Sequence, residues 1–428
     1  MSSENFCKKL FCGILILLLL LGAAACEKTN ASKDPTKTGE LDTGSDCTCS
    51  ESCPEGCSEG CFEDCSGSCA STDEDSSVQG GDETGTGTET EMETDEDPSD
   101  SGTQTPDVSD GIVKPSEQGY TYPEMVDDLA LLEQTYGEYF SYQSIGKSVD
   151  GREIFACVVG NPEAEHRVLL TGGIHGKEYL SSLLVMTQVE YYLANRESGS
   201  YNGLSYADMM QTHAFYVLPM INPDGIMLAL CGIDSMQTDH ARETVEKIYA
   251  ENLRDGLTTA TDIDDYLAYN WKSNANGVDL NRNFALSNWE EVKTGILAPC
   301  FRNYKGPRPA SEPETQAVSA YVESIGEIEA LLAFHTAGQV VYWDCGMTGG
   351  VRLDTYDLAQ AVCEHTGYKM IYDAHLDASL NDWITLEKGV PSVTVEIAAV
   401  IYPMPTSELA DAFEQTKELW VITAQLFG

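Results

Sequence analysis

An apolar run, Val168-Leu169-Leu170, opens into Thr171-Gly172-Gly173-Ile174-His175-Gly176-Lys177-Glu178 and then into a helical pattern of Leu180, Leu183, Leu184, Gln188 and Tyr191. Consecutive apolar residues without alternation predict a strand buried on both faces. A sheet of such strands has to be covered on both sides, which confines the chain to a layered arrangement. The paired glycines permit a sharp turn and a close backbone approach at the strand's end. The same stretch puts a His and a Glu three apart, two of the three protein ligands that a catalytic zinc needs. Alone, that spacing is common, and a satisfied side-chain pair is its ordinary meaning.

Further apolar runs follow. His213 to Met220 reads as a strand ending in Ile221-Asn222-Pro223-Asp224-Gly225, where Pro fixes φ and Asp-Gly allows a tight reversal. Ile328 to Phe334 is a strand with His335 at its end, Val340 to Trp343 another, and Val393-Thr394-Val395 runs into Glu396. Ser144 to Arg152 reads as strand, turn, strand, continued by Ile154 to Val159. Helical patterns begin at Tyr122, with Met125, Leu129, Leu132 and Tyr136 on one side, and close the chain from Ser407 to Leu426. Ser311 with Glu314 three later predicts a capping box, and Met236 to Asn270 a polar, partly helical insertion. The expected fold is α/β, a mixed, largely parallel central sheet flanked by helices. Ligands of such sheets bind at the carboxyl ends of strands, where His175, His335 and Glu396 all fall.

The charge excludes one class of partner. The 428 residues carry 70 acidic and 24 basic side chains, a formal net charge of −46, which argues against nucleic acid. Residues 1–25 read as a targeting signal: Lys8 and Lys9, an apolar stretch from Leu10 to Leu21, then small residues up to Cys26. Ala23-Ala24-Ala25-Cys26 resembles a bacterial lipobox, which implies a lipid on Cys26 and a place on the outer face of the cytoplasmic membrane. A plain secretory signal is the other reading. Residues 26–118 form an acidic segment too polar to bury a core, an expected disordered tether; from Glu27 to Glu117 it holds 25 acidic residues against 4 basic. Within it Cys47, Cys49, Cys53, Cys57, Cys61, Cys65 and Cys69 form a near-regular array. A disulfide-tied spacer, a soft-metal site and a redox-labile linker all fit it. The globular part is residues 119–428.

Taken in order, several features resemble the zinc carboxypeptidases of the carboxypeptidase A superfamily. They are His175-x-x-Glu178, the Asn-Pro-Asp-Gly segment, Gly277-Val278-Asp279-Leu280-Asn281-Arg282-Asn283-Phe284, Ser311-Glu312-Pro313-Glu314-Thr315, His335 and Val395-Glu396. The stretch from Trp271-Lys272 to Phe284 is similar to the bacterial branch that includes γ-D-glutamyl-diaminopimelate peptidases. The resemblance implies one Zn2+ held by His175, Glu178 and His335, with Glu396 as general base. It implies Asn281 and Arg282 as a clamp for a substrate carboxylate, which a guanidinium fork meets in bidentate fashion. Lys272 stands where digestive members have an arginine that stabilises the developing oxyanion; a lysine supplies a point charge there. Tyr372 is the candidate for the family's mobile, substrate-binding tyrosine. Asn381 and Asp382, before Trp383, would make the pocket beyond the scissile bond polar or acidic, suited to an amine-bearing residue. The remaining histidines, His166, His213, His240, His365 and His375, fall in no ligand-spaced motif and read as structural or surface residues.

The implied activity is that of a secreted, lipid-anchored zinc metallopeptidase acting on a peptide or muropeptide, at a γ-D-Glu–diamino acid bond. A broad metallocarboxypeptidase and a non-catalytic surface binding protein are the alternatives. Oligomeric state is not legible.

Overall fold

The computed structural model describes residues 111–372 and 375–428. The targeting signal, nearly all of the acidic segment and the cysteine array lie outside the described residues.

Among the described residues there are ten strands: β1 (Phe140–Lys147), β2 (Glu153–Gly160), β3 (His166–Thr171), β4 (Ser200–Tyr201), β5 (Leu204–Ser205), β6 (His213–Leu218), β7 (Ala330–Thr336), β8 (Val340–Tyr342), β9 (Lys369–Ile371) and β10 (Ser392–Ile397). Strands β4 and β5 form a small hairpin; the other eight make one sheet in the order β1-β2-β6-β3-β7-β10-β8-β9. Its centre, β6-β3-β7-β10, is parallel. The antiparallel pairings are β1 with β2, β2 with β6, and β10 with β8. This is the expected mixed, largely parallel sheet.

The unbroken apolar run of β3 is explained by its two faces. Val168 and Leu170 join one core with Leu180, Leu183 and Leu184 of the helix Tyr179–Ala194. Leu169, pointing the other way, joins a second core with Leu331, Val318 and Val322, the last two on the helix Pro313–Ile325. Each such side chain contributes about 1.5–3 kcal/mol on burial, so both faces resist substitution by a polar residue. A third cluster, with Val245, Ile248, Tyr266 and Trp271, sits under the insertion, which folds as helices Asp239–Arg254 and Ile263–Asn270.

Three local expectations are corrected. Asn222-Pro223-Asp224-Gly225 does not reverse the chain; Asn222 caps a helix, Pro223–Cys231, by accepting from the Gly225 amide. Proline at a first helical position suits that role as well as a turn. The Ser311/Glu314 capping box does not form, because Glu312 is the N-cap and the Glu314 carboxylate accepts from the Val149 amide and Asn274 instead. The closing helix is two, Leu409–Thr416 and Leu419–Phe427. At the other end of the described chain, the amides of Ile112 and Val113 donate to the Glu190 carboxylate at 2.7 and 2.8 Å.

Candidate metal centre and substrate cleft

His175 follows β3 on a loop held from two sides. The amides of Gly176 and Lys177 donate to the carbonyls of Lys272 and Trp271. The Asn222 side-chain amide donates to the carbonyls of Ile174, Lys272 and Ser273. Gly176 packs so closely on Gly225 that a Cβ there would strike the Gly225 backbone. The two glycine-bearing motifs are thereby locked together, and Glu178 follows as the N-cap of the helix Tyr179–Ala194. His335 is the sixth residue of β7, and β10 sets Glu396 in register beside it.

These elements bring His175, Glu178 and His335 together, all buried, with one ligand atom from each within 4.8 Å of the others. Nδ1 of His175 lies 3.1 Å from Glu178 Oε1, and Nδ1 of His335 lies 3.1 Å from Glu178 Oε2. Both ring nitrogens of His175 are buried without a hydrogen bond of acceptable geometry, and Oε1 of Glu178 has the Lys272 ammonium beside it. Unsatisfied donors and acceptors at such depth are costly unless a further group completes them. Two imidazoles and a carboxylate converging on one point make a donor set that suits zinc. On its far side His175 Nε2 is 3.3 Å from Asp279 Oδ1, a carboxylate placed to orient the ring.

The charges are strongly coupled. Burial works to lower the His175 pKa, but Glu178 and then Asp279 hold it above its ordinary value. His335 is lowered, chiefly by burial. Burial opposes ionisation of Glu178, yet His175 and Lys272 keep its carboxyl well below the usual range. The Lys272 ammonium sits 2.7 Å from Glu178 Oε1. Although burial disfavours its charge, Glu178 and Glu396 hold the lysine protonated. Glu396 is pushed up to about 8 by burial and by Glu178, with Lys272 opposing. Its Oε2 is buried without a partner.

A cleft of about 260 Å³ opens over these groups, lined by His175, His335, Glu396, Lys272, Asn281 and Arg282 among others. The Asn281 side-chain oxygen accepts from the Leu380 amide at 3.1 Å. Arg282 directs Nη1 at the Asn281 carbonyl (2.7 Å) and Nη2 at Asp377 Oδ2 (3.2 Å). On the cleft wall the two polar atoms of the Asn381 side chain are buried and unpartnered. Asp382 is otherwise engaged: its carboxylate accepts from the amides of Asp377 and Ser379, capping the helix Leu380–Lys388. Both of those amides reach the same oxygen, Oδ2, and Asp382 lines the cleft beside Asn381.

Tyr372 stands outside the residues that line the cleft; it is 63% exposed and meets Trp343 edge-on, ring centroids 6.0 Å apart. Lys177, inside the His-x-x-Glu motif, turns away. Its ammonium lies over the Tyr402 ring at 3.7 Å and donates to the Tyr269 carbonyl. Tyr402 in turn donates to the Thr336 carbonyl beside His335, so Lys177 braces the site from outside. Sequence reasoning missed Asp279, Asn222 and Asp377. Asp279 could have been found, since it lies in the same motif as Asn281 and a ligating imidazole calls for an acceptor behind it. The structure also joins His166, His213 and Glu329, far apart in sequence, into a second group of potential ligands.

Comparison with known proteins agrees with this geometry. The gamma-D-glutamyl-L-diamino acid endopeptidase 1 of Lysinibacillus sphaericus is 28% identical over 302 residues, covering 70% of this chain and 70% of that protein. The uncharacterized protein YqgT of Bacillus subtilis is 28% identical over 289 residues, covering 66% and 71%. Among solved structures, thrombin activatable fibrinolysis inhibitor superposes with a TM-score of 0.57 at 18% identity, over 72% of this chain and 75% of that one, a likeness of fold. A family model described as zinc carboxypeptidase matches residues 125–419, more than half of the sequence. With the ligand set, the sheet and this match in agreement, the chain belongs to the zinc carboxypeptidase family.

Proposed function

We propose that this zinc peptidase hydrolyses the amide bond between a γ-linked D-glutamyl residue and a diamino acid in cell-wall peptides. One observation carries the reading. Across a single cleft, a buried Glu396 carboxylate with an unpartnered oxygen faces the metal ligands, while Arg282 and Asn281 line the same space. That arrangement positions a base at one end and a carboxylate-binding fork at the other. The neutral amide of Asn381 on the wall suits a side chain ending in an amine or zwitterion. The relative from Lysinibacillus sphaericus, whose name specifies a γ-D-glutamyl-L-diamino acid bond, supports the choice of substrate.

His175, Glu178 and His335 would hold the ion. Zinc, when bound, supplies Lewis-acid polarisation of a carbonyl and a lowered pKa for water. Asp279 keeps the His175 ring oriented. Glu396 takes a proton from the attacking water and returns it to the leaving nitrogen, so one amide bond breaks and a carboxylate and an amine form. The Lys272 ammonium, fixed beside Glu178, faces the negative charge that develops on the carbonyl oxygen. Arg282 and Asn281 fix the substrate by its carboxylate, placing the scissile bond before Glu396.

The sequence before the described residues supports export and anchoring through a lipid on Cys26, which would hold the enzyme on the outer face of the bacterial cytoplasmic membrane. Cys26→Ala should then move the protein from the membrane fraction to the medium. The substrate reading is tested by mass spectrometry of products from L-Ala-γ-D-Glu-diaminopimelate beside α-linked peptides of equal length. Release of the diamino acid from the γ-linked peptide is expected. Faster loss of C-terminal residues from the α-linked set would establish a broad carboxypeptidase instead.

A further inference from the structure

The Arg282 fork is already occupied. Its Nη1 donates to the Asn281 carbonyl, and its Nη2 lies 3.2 Å from Asp377 Oδ2. The segment bearing Asp377 is tied to the segment bearing Arg282 at several points. The Phe284 amide donates to the Ala378 carbonyl, and the Leu380 amide to Asn281 Oδ1. The Asp377 amide is itself held at 2.8 Å by the Asp382 carboxylate, and Ala378 takes a left-handed φ of +57° to complete that turn. Asp377 is thus held by its backbone at the mouth of the clamp.

We propose that Asp377 is an internal occupant of the carboxylate clamp, which a substrate carboxylate must displace, and that it sets the enzyme's KM for carboxylate-bearing substrates. The shortest approach of the pair, Oδ2 to Nη2, is a long 3.2 Å, whereas an incoming carboxylate can take the fork with both oxygens. Asp377 is 43% exposed and Arg282 21%, so solvent screens the pair and keeps it weak enough to be exchanged. Displacement is needed before binding, and Asp377 also repels a second anion nearby. Both effects raise KM and neither touches the bond-breaking step. This inference rests on the role of Arg282 stated above, though not on which amide bond is cleaved.

The test is steady-state kinetics of the zinc-loaded enzyme and its Asp377→Asn and Asp377→Ala variants. The substrates are L-Ala-γ-D-Glu-diaminopimelate, an α-linked peptide, and the C-terminal carboxamide of each. Both variants should lower KM about two- to fivefold on the free acids, the size expected of an exposed ion pair. They should leave kcat unchanged and leave the carboxamides unaffected. A KM on the free acids that stays the same or rises overturns the proposal; a rise would show that Asp377 binds substrate. Because the effect is read on whichever linkage is turned over, failure of the γ-bond assignment would be seen separately, as a preference for the α-linked pair.

Discussion

Two histidines and a glutamate stand at each end of the same sheet. At the carboxyl ends of β3 and β7 are His175, His335 and Glu178; at the amino ends of β3 and β6, with Glu329 just before β7, are His166, His213 and Glu329. Both sets hold ligand atoms within 4.8 Å, and both leave buried polar atoms without hydrogen bonds, among them His213 Nε2 and Glu329 Oε2. Neither residue type nor unsatisfied atoms separate them. What differs is the surroundings. At the carboxyl end Asp279 stands behind His175, Lys272 lies beside Glu178, and Glu396 and Arg282 face the same cleft. At the amino end His166 closes on Glu329 at 2.7 Å, one-third exposed, and the His213 ring lies near-parallel to it at 4.8 Å between centroids. There the glutamate is used by a neighbour, and no base or clamp joins it among the described residues. A site is made by the groups that orient and oppose its ligands.

The sharpest way to break this comparison is to remove one carboxylate from each end. Glu396→Gln should lower kcat by about 10²–10⁴, the worth of a positioned general base, with zinc retained. Glu329→Gln should leave kcat/KM within about twofold, since surface ion pairs are worth little. Comparable losses in both would mean that the amino end takes part in turnover.

Metal content sharpens the same contrast. Elemental analysis should give one zinc per chain, lost in His175→Ala and kept in His213→Ala. Asp279→Asn should weaken zinc binding by about 10–100-fold in competition with a chromogenic chelator, as expected for an acceptor behind a ligating imidazole. Thr212→Val, which removes the hydroxyl 2.9 Å from His213 Nδ1, should not change it. Two zinc ions per chain would make the two ends alike. Next in size comes Arg282→Lys, which keeps the charge and loses the fork; kcat/KM on free-acid substrates should fall about tenfold.

How far these roles were legible follows from where each residue sits. His175, His335 and Glu396 each end an apolar run, so reading the sequence strand by strand already places them at one edge of the sheet. Asn281 and Arg282 were legible through their motif. Asp279 lies in the same motif and could be found there, but its task follows only once it is known which nitrogen of His175 faces the metal. His166 and His213 stand opposite one another only through the register of β3 with β6, a pairing that no local pattern encodes. Asp377 reaches Arg282 because the turn at Ala378 and the cap at Asp382 fold it back, again beyond local reading. The Asn-Pro-Asp-Gly segment went wrong for the opposite reason: its residues suit a turn and a helix start equally, and packing against Gly176 decided between them.

The smallest effect expected is on stability, and it tests whether His213 is a packed neutral ring. Its pKa is lowered from an ordinary 6.5, by burial first and by His166 next, with the carbonyls of Met209 and Ala424 opposing. A depressed histidine binds its proton less readily folded than unfolded. Stability from this group is therefore complete above about pH 6.5 and is lost as pH falls through 6.5 towards the folded value. His166 and Glu329 stand within reach of it, and Gly428 packs so close that a Cβ there would strike the ring. Thermal unfolding of the zinc-loaded protein from pH 7.5 to 5.5 should show a steeper decline in Tm for the wild type than for His213→Gln. If the two slopes coincide, the ring is not held neutral by its surroundings. If the variant instead declines more steeply, protonation of His213 strengthens the amino end, as it would if Glu329 were its ion-pair partner. The contrast between the two ends would then rest on His166 alone.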